Sequence, residues 1–378
     1  PPPPPPPPAM KPPFGENYWI MPFGGAARTS WKPDSLHNVN PTEMWAAFVP
    51  GAKPVSSLVV NNGSVYASAG GNLVAFDEQS GAASLHYAHS QTIGVLSMAG
   101  EGENAQLLAE LGVQLLSFNP QTLTLLWRWT GVTQGAYFPF GVPASSRLGL
   151  AYCPGGDFNG ELYGVLLTTN RTKFDQDIFP TAFGSDSWGA TLLENSTTTR
   201  LFASTQAGEG NPSAFTEVDP SSGKVLWSMP LNENWIGYVT GWTTAVSGHY
   251  AVAVNLTSSD RVDPVVIDVD TRAVLWTQPC ATPQQRSGPF AITPATDGSS
   301  VFAACSAGIN VWEIASGKRV GFLTFGALEG TCGGPLVVTN THLLASCNSK
   351  VLIFEIVTQR LVGSLNTSIL SPTGGYTL

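Results

Sequence analysis

Along most of the chain the apolar residues come in short runs or in alternation with polar ones, broken by Gly, Pro or Asn. Runs this short, rich in Val, Leu, Phe and Tyr, favour strands over helices. The first four fall at 57–61, 65–68, 73–76 and 83–87. Between them stand Asn62-Gly63, Gly70-Gly71 and Ser80-Gly81, tight-turn pairs in which Gly can take a positive φ. Four strands joined in this way predict one antiparallel four-stranded sheet.

The unit recurs. Its clearest copy reads Phe215-Thr216-Glu217-Val218-Asp219-Pro220-Ser221-Ser222-Gly223-Lys224-Val225-Leu226-Trp227. Here a strand ends in Asp219, a turn follows, and eight residues after Asp219 a bulky residue closes the next strand. Further copies are anchored at Asp77, Asn119, Asp268, Glu313 and Glu355, with Trp127 and Trp276 at the bulky position and Gly81 and Gly317 in the turn. Successive anchors lie 42, 100, 49, 45 and 42 residues apart, and a degenerate copy over 161–167 falls inside the long interval. Seven repeats of 42 to about 50 residues predict a propeller or solenoid. An Asp or Asn before the turn accepts hydrogen bonds from the turn's amides, Gly four residues on takes the left-handed position, and Trp buries a large face between neighbouring units.

These residues resemble the pyrroloquinoline-quinone-like propeller repeat: an apolar strand, Ala-x-Asp-x-x-Thr-Gly, then Trp. The stretch from Asp219 to Trp227 fits best, the first copy lacks the Trp, and the last two replace Asp with Glu313 and Glu355. The resemblance covers roughly 52–366 and implies an all-β propeller of four-stranded antiparallel blades. Such blades serve dehydrogenases, assembly scaffolds and binding modules alike, so it says more of fold than of function. Glu43-Met44-Trp45-Ala46-Ala47-Phe48 reads as an outer strand that completes a blade with the C-terminal region, leaving seven blades or a composite eighth. The chain divides into an arm or linker at 1–16, a lead-in at 17–51 with that ring-closing strand, and a propeller at 52–378.

The quinoprotein dehydrogenases of this kind usually set adjacent cysteines against the quinone and hold calcium with carboxylates and an Asn. Here Cys153, Cys280, Cys305, Cys332 and Cys347 are never adjacent, so no cofactor is expected and the chain reads as a non-catalytic member. Of His37, His86, His89, His249 and His342, only His86 and His89 are close, and positions three apart on a strand face opposite sides. Asp175 with Asp177 suggests a carboxylate pair, and Asp157, Asn159 and Glu161 a calcium loop without the twelve-residue ligand spacing; both read as polar loop residues. No nucleophile elbow, phosphate loop or dinucleotide fingerprint is present. No catalytic or metal residue is therefore assigned.

Composition adds a compartment. Charged residues are 11% of the chain, against roughly 25% in ordinary soluble proteins. The net charge of −9 offers no basic stripe for nucleic acid, and no apolar stretch is long enough to span a membrane. Five Asn-x-Ser/Thr sequons, at Asn62, Asn170, Asn195, Asn255 and Asn366, fall in expected turns or blade connections. Attached glycans would wet a surface this poor in charge. Cys280 and Cys332, in connections entering successive blades, are the preferred disulfide; Cys305 and Cys347, on second strands of separate blades, read as buried thiols, and Cys153 has no obvious partner.

The chain opens on Pro1, Pro2, Pro3, Pro4, Pro5, Pro6, Pro7 and Pro8, which favour a polyproline II rod of about 25 Å. The run resembles hydroxyproline-rich glycoproteins of algae and plants, in which such prolines are hydroxylated and carry O-glycans. It reads as a stiff linker, a glycosylated rod, or an arm docking on a neighbouring copy, where Trp19, Trp31 or Trp235 would help line the groove. The expectation is a secreted, glycosylated propeller acting as a structural or assembly module, such as a fibril or coat subunit. Its partners would be its own copies or other extracellular glycoproteins. The alternative is a carbohydrate- or peptide-binding propeller using Tyr137, Phe138, Trp188, Trp235 and Trp242 as stacking faces.

Overall fold

The structure, a computed structural model, describes residues 31–32, 45, 47, 49, 55–100, 102–130, 142–154, 161–177, 187–205, 213–231, 245–258, 261–280, 295–305, 308–325, 332–347 and 350–366. Among these residues the chain forms seven antiparallel sheets of four consecutive strands each, at 55–88, 96–129, 144–177, 187–231, 245–277, 295–324 and 332–366. The first strands of successive blades touch one another in order from blade one to blade seven. This is the seven-bladed propeller expected. Strands read at 57–61, 65–68, 73–76 and 83–87 are Val55–Asn61, Ser64–Ala69, Asn72–Asp77 and Ala83–Ala88.

Every blade repeats one local irregularity. Between the third and fourth strands the ladder slips at the residue pair just before the anchor, from Ala75/Phe76 in blade one to Ile353/Phe354 in blade seven. The slip at Gly164/Val165 identifies Leu166 as the anchor of the degenerate copy and splits its long interval into 47 and 53 residues. Four residues after each anchor the backbone has positive φ, at Gly81, Leu123, Asn170, Gly223, Arg272, Gly317 and Gln359. Only three of these are Gly, although L-residues meet their own carbonyl there. The turn is fixed instead by the anchors: Asp219 Oδ1 accepts the amides of Ser221 and Ser222 at 2.9 and 2.8 Å, and Asn119 and Asp268 do the same in their blades.

The hydrophobic core is divided among the contacts between blades. Six clusters each join two neighbouring blades; Tyr66 and Leu73 of blade one pack with Leu107 and Phe118 of blade two, and Phe302 of blade six with Phe354 of blade seven. Burying such side chains contributes about 1.5–3 kcal/mol each. A blade alone would leave both faces wet, so the unit of stability is the pair.

These pairs are locked by a shared joint. In several blades the residue eight after the anchor lies against the positive-φ residue of the next blade's turn. Leu85 packs against the cluster that contains Leu123, Arg272 lies 6.0 Å over the Trp227 ring, and a Cβ built on Gly317 would come within 2.6 Å of Trp276 Cγ. The carbonyl one residue after the anchor accepts a hydrogen bond from the preceding blade. Its donors are Tyr66 Oη to Pro120, Trp127 Nε1 to Leu167, Tyr152 Oη to Pro220, Arg200 Nη2 to Val269 and Trp276 Nε1 to Ile314, at 2.7–3.1 Å.

The closure of the ring differs from the expectation. Within Glu43-Met44-Trp45-Ala46-Ala47-Phe48 the described residues Trp45 and Ala47 lie outside any strand, and blade seven takes all four of its own strands from 332–366. The lead-in contributes instead a two-residue strand, Trp31–Lys32, parallel to the first strand of blade seven, and the Trp45 side chain, which packs on blade one.

Candidate functional site

Because the four strands of each blade run antiparallel, the connections sort onto two faces. On one, the turns between first and second and between third and fourth strands are two to six residues long. On the other, the links from one blade to the next take 7 to 17 residues, and the hairpins of blades three and four extend to six and seven. Binding residues concentrate on long loops carried by a rigid scaffold, which makes this second face the candidate site.

Sequence-selected aromatics fall there. Trp188 is the second residue of the strand Ser187–Glu194, at the end entered from the long link between blades three and four. Tyr137, Phe138, Trp235 and Trp242 belong to the links 130–143 and 232–244 and lie outside the described residues, as do Trp19, His37, Asp157, Asn159 and Pro1 to Pro8.

The same face carries the disulfides, with a pairing that corrects the expected one. Cys280 is bridged to Cys305, Cα atoms 5.3 Å apart, in place of Cys332. Cys347 is also disulfide-bonded, and the backbone ladder sets Cys332 opposite it. Cys305 and Cys347, expected as thiols, are thus both oxidised. The reason is local: each ends the second strand of a blade, where the chain entering that same blade passes. Cys280 is further fixed by its amide, which donates to Oδ1 of the buried Asp263 at 3.0 Å. Cys153 is the free cysteine among the described residues, and complete burial pushes its thiol pKa up. The Cys280–Cys305 pair is separated by 25 residues and links a connection to a strand end, which does not fit a platform of adjacent cysteines for a quinone.

The titratable candidates remain apart. His86 Nε2 lies 2.8 Å from Asn72 Oδ1, while His89 Nδ1 accepts the amide of Gln91. The His249 ring lies tilted beside that of Tyr250, and His342 is buried with Nδ1 2.7 Å from the Thr341 hydroxyl. In blade three, Glu161 is paired with Asp177 and Tyr163 with Asp175 along the ladder. The Tyr163 hydroxyl donates to Glu161. Asp175 is held above the usual carboxylate range by partial removal from water and then by the Glu161 charge. Among the described residues no three His, Cys, Asp or Glu side chains gather as a metal site.

The sequons divide between the two faces. Asn62 and Asn195 are exposed in short turns, Asn62 at φ 48° and Asn195 accepting the amides of Thr197 and Thr198. Asn170 occupies a joint, its Nδ2 donating to Arg128 O at 2.8 Å. Asn255 departs from the expected placement: it lies within the strand Tyr250–Ser258, paired with Asp263, and Asn366 is the last residue of Arg360–Asn366. The alternating hydrophobic pattern ends before Asn255, which is why the length of that strand escaped the sequence.

No family model matches the chain, and no curated protein does. Solved structures do. BamB from Moraxella catarrhalis is similar at 12% identity and TM-score 0.60, with 83% of this chain and 87% of that one covered. A europium-containing methanol dehydrogenase aligns over 92% and 85% at 12% identity and TM-score 0.67, and Saccharomyces cerevisiae Sqt1 over 84% and 86% at 12% and 0.64. The chain is a seven-bladed β-propeller whose fold is similar to that of the quinone-type and BamB propellers.

Proposed function

We propose that this protein is an extracellular, glycosylated propeller that works as an interaction and assembly module. The observation carrying this reading is the combination of oxidised cysteines with long connections on a single face. Disulfides persist in oxidising compartments, and Cys305 and Cys347, each closing a second strand, are both bridged. The exposed Asn62 and Asn195 are accessible acceptors for N-glycans. The arm of one copy would engage the next, in a head-to-tail contact that need not close.

A second reading, recognition of a glycan or peptide, is favoured by the placement of Tyr137, Phe138, Trp188, Trp235 and Trp242 in or beside the long connections. Selective, Trp-dependent binding on a glycan array would move it ahead. Native mass spectrometry of the protein from its own source, before and after glycosidase treatment, tests the first reading. A ladder of oligomers with removable sugar mass is expected; an unglycosylated monomer holding a small molecule would overturn it.

A further inference from the structure

Six of the seven joints are built by neighbouring blades; the seventh is not. At the position eight residues after its anchor, blade seven carries Gly363, which has no side chain to offer blade one. The corresponding groove on blade one is nonetheless filled, by Trp45. Its Nε1 donates to Glu78 O at 2.9 Å, the carbonyl one residue after the Asp77 anchor. A Cβ built on Gly81 would come within 2.6 Å of Trp45 Cγ, and the indole stacks on Phe76 with centroids 6.2 Å apart. Trp276 makes the same pair of contacts, 2.7 Å to Ile314 O and 2.6 Å to the position of a Cβ on Gly317.

Two features set Trp45 apart from Trp276. It is half-buried where Trp276 is 8% exposed, and it lies outside any strand, whereas Trp276 belongs to Ala273–Thr277. Phe76, Glu78 and Gly81 all belong to blade one, so the receiving groove is complete without blade seven.

We propose that this groove is a receptor for the Trp45 segment in trans, so that a second copy of the chain can supply the indole that the first supplies in cis. Each copy then carries one donor and one acceptor, the arrangement of an exchangeable element, and filling in trans gives a head-to-tail contact. The proposal names the contact for the assembly reading above and rests on it for its biological use.

The test uses the full chain bearing Trp45→Ala and a synthetic peptide of residues 40–50, followed by calorimetry. The peptide should bind this chain at least about tenfold more tightly than the same peptide with Trp replaced by Ala, as expected for one half-buried aromatic anchor that also donates a hydrogen bond. Adding Gly81→Val should abolish the binding. Equal affinity of the two peptides, or no binding to a chain whose circular dichroism is native, would overturn the proposal. Should Trp45→Ala fail to fold, Trp45→Val serves as the acceptor, since it leaves the Glu78 carbonyl without its donor and places no ring over Phe76 and Gly81. Native mass spectrometry of the same chains separates the two readings. Oligomers that survive Trp45→Ala while the peptide fails to bind overturn the groove and keep assembly; peptide capture by a chain that is monomeric as wild type keeps the groove and overturns assembly.

Discussion

Gln359 of blade seven covers the α-carbon of Gly321 in blade six: its Nε2 donates to Val320 O at 3.0 Å, its Oε1 accepts the Phe322 amide at 3.4 Å, and a Cβ on Gly321 would lie 2.6 Å from Nε2. This is the joint of Trp276 and Gly317 with its direction reversed, the large side chain coming from the turn and the small residue from the outer strand. Gly321→Trp combined with Gln359→Gly should therefore rebuild the commoner joint. Each single substitution is expected to destabilise, the first by crowding and the second by opening a gap, and the double variant to recover at least about 1 kcal/mol over their sum. Urea denaturation of the four chains measures this; simple additivity would refute the equivalence.

Arg272 stands at a positive φ of 59° while its guanidinium lies over Trp227. Removing the side chain loses a stacking contact worth about 0.5–1 kcal/mol at an exposed site. Gly and Ala variants lose it equally, but only Gly relieves the left-handed strain. Arg272→Gly should exceed Arg272→Ala in stability by about 1 kcal/mol. Thermal melts that rank them the other way would remove the argument for the turn.

The Cys280–Cys305 bridge closes a loop of 25 residues, for which chain entropy gives a contribution of about 3.5 kcal/mol. Replacing both cysteines by Ala should lower the unfolding free energy by about that amount. In the unfolded, unreduced wild-type chain, mass spectrometry after alkylation should find Cys153 labelled and Cys280, Cys305 and Cys347 protected; labelling of Cys305 would contradict the pairing.

Asp77 is held below the usual carboxylate range, chiefly by the Ser80 hydroxyl at 2.7 Å and then by the Ser80 amide at 2.8 Å. A depressed folded pKa favours the folded state while the group is ionised. That contribution is complete above the unfolded value of about 3.9 and is lost as pH falls through the lower folded value. Asp77→Asn should flatten the acid limb of the melting temperature against pH and leave its slope above pH 5 unchanged.

Blade number, strand order and the anchors were legible in the sequence because each blade repeats local chemistry: Asp or Asn to hold the amides, a left-handed residue four on, a large residue eight on. Leu166 was not, because it holds its turn without a side-chain acceptor and shows itself only through the ladder slip at Gly164/Val165. The place of Trp45 was hidden for a different reason. Its neighbours form a short apolar run that reads as a strand, and the signal that a large residue comes from elsewhere is the absence of a side chain at Gly363. The Cys280–Cys305 pair was missed because distance between blades was weighed, whereas this bridge ties the second strand of a blade to the chain entering that same blade. The long-connection face was legible as aromatic residues in loops, but its sidedness follows only from strand direction.

The carbonyls one residue after the anchors, which receive hydrogen bonds across the joints, sit in turns of the short-turn face, away from the links of 7 to 17 residues. These bonds are thereby kept apart from the long connections, although Ile93 and Val142 of those connections enter the cores between blades. Insertions or replacements in the links at 130–143 or 232–244 leave every one of these bonds untouched. Such a scaffold lets the parts of one surface that stay outside these cores be rewritten while the turn-side bonds between blades remain in place.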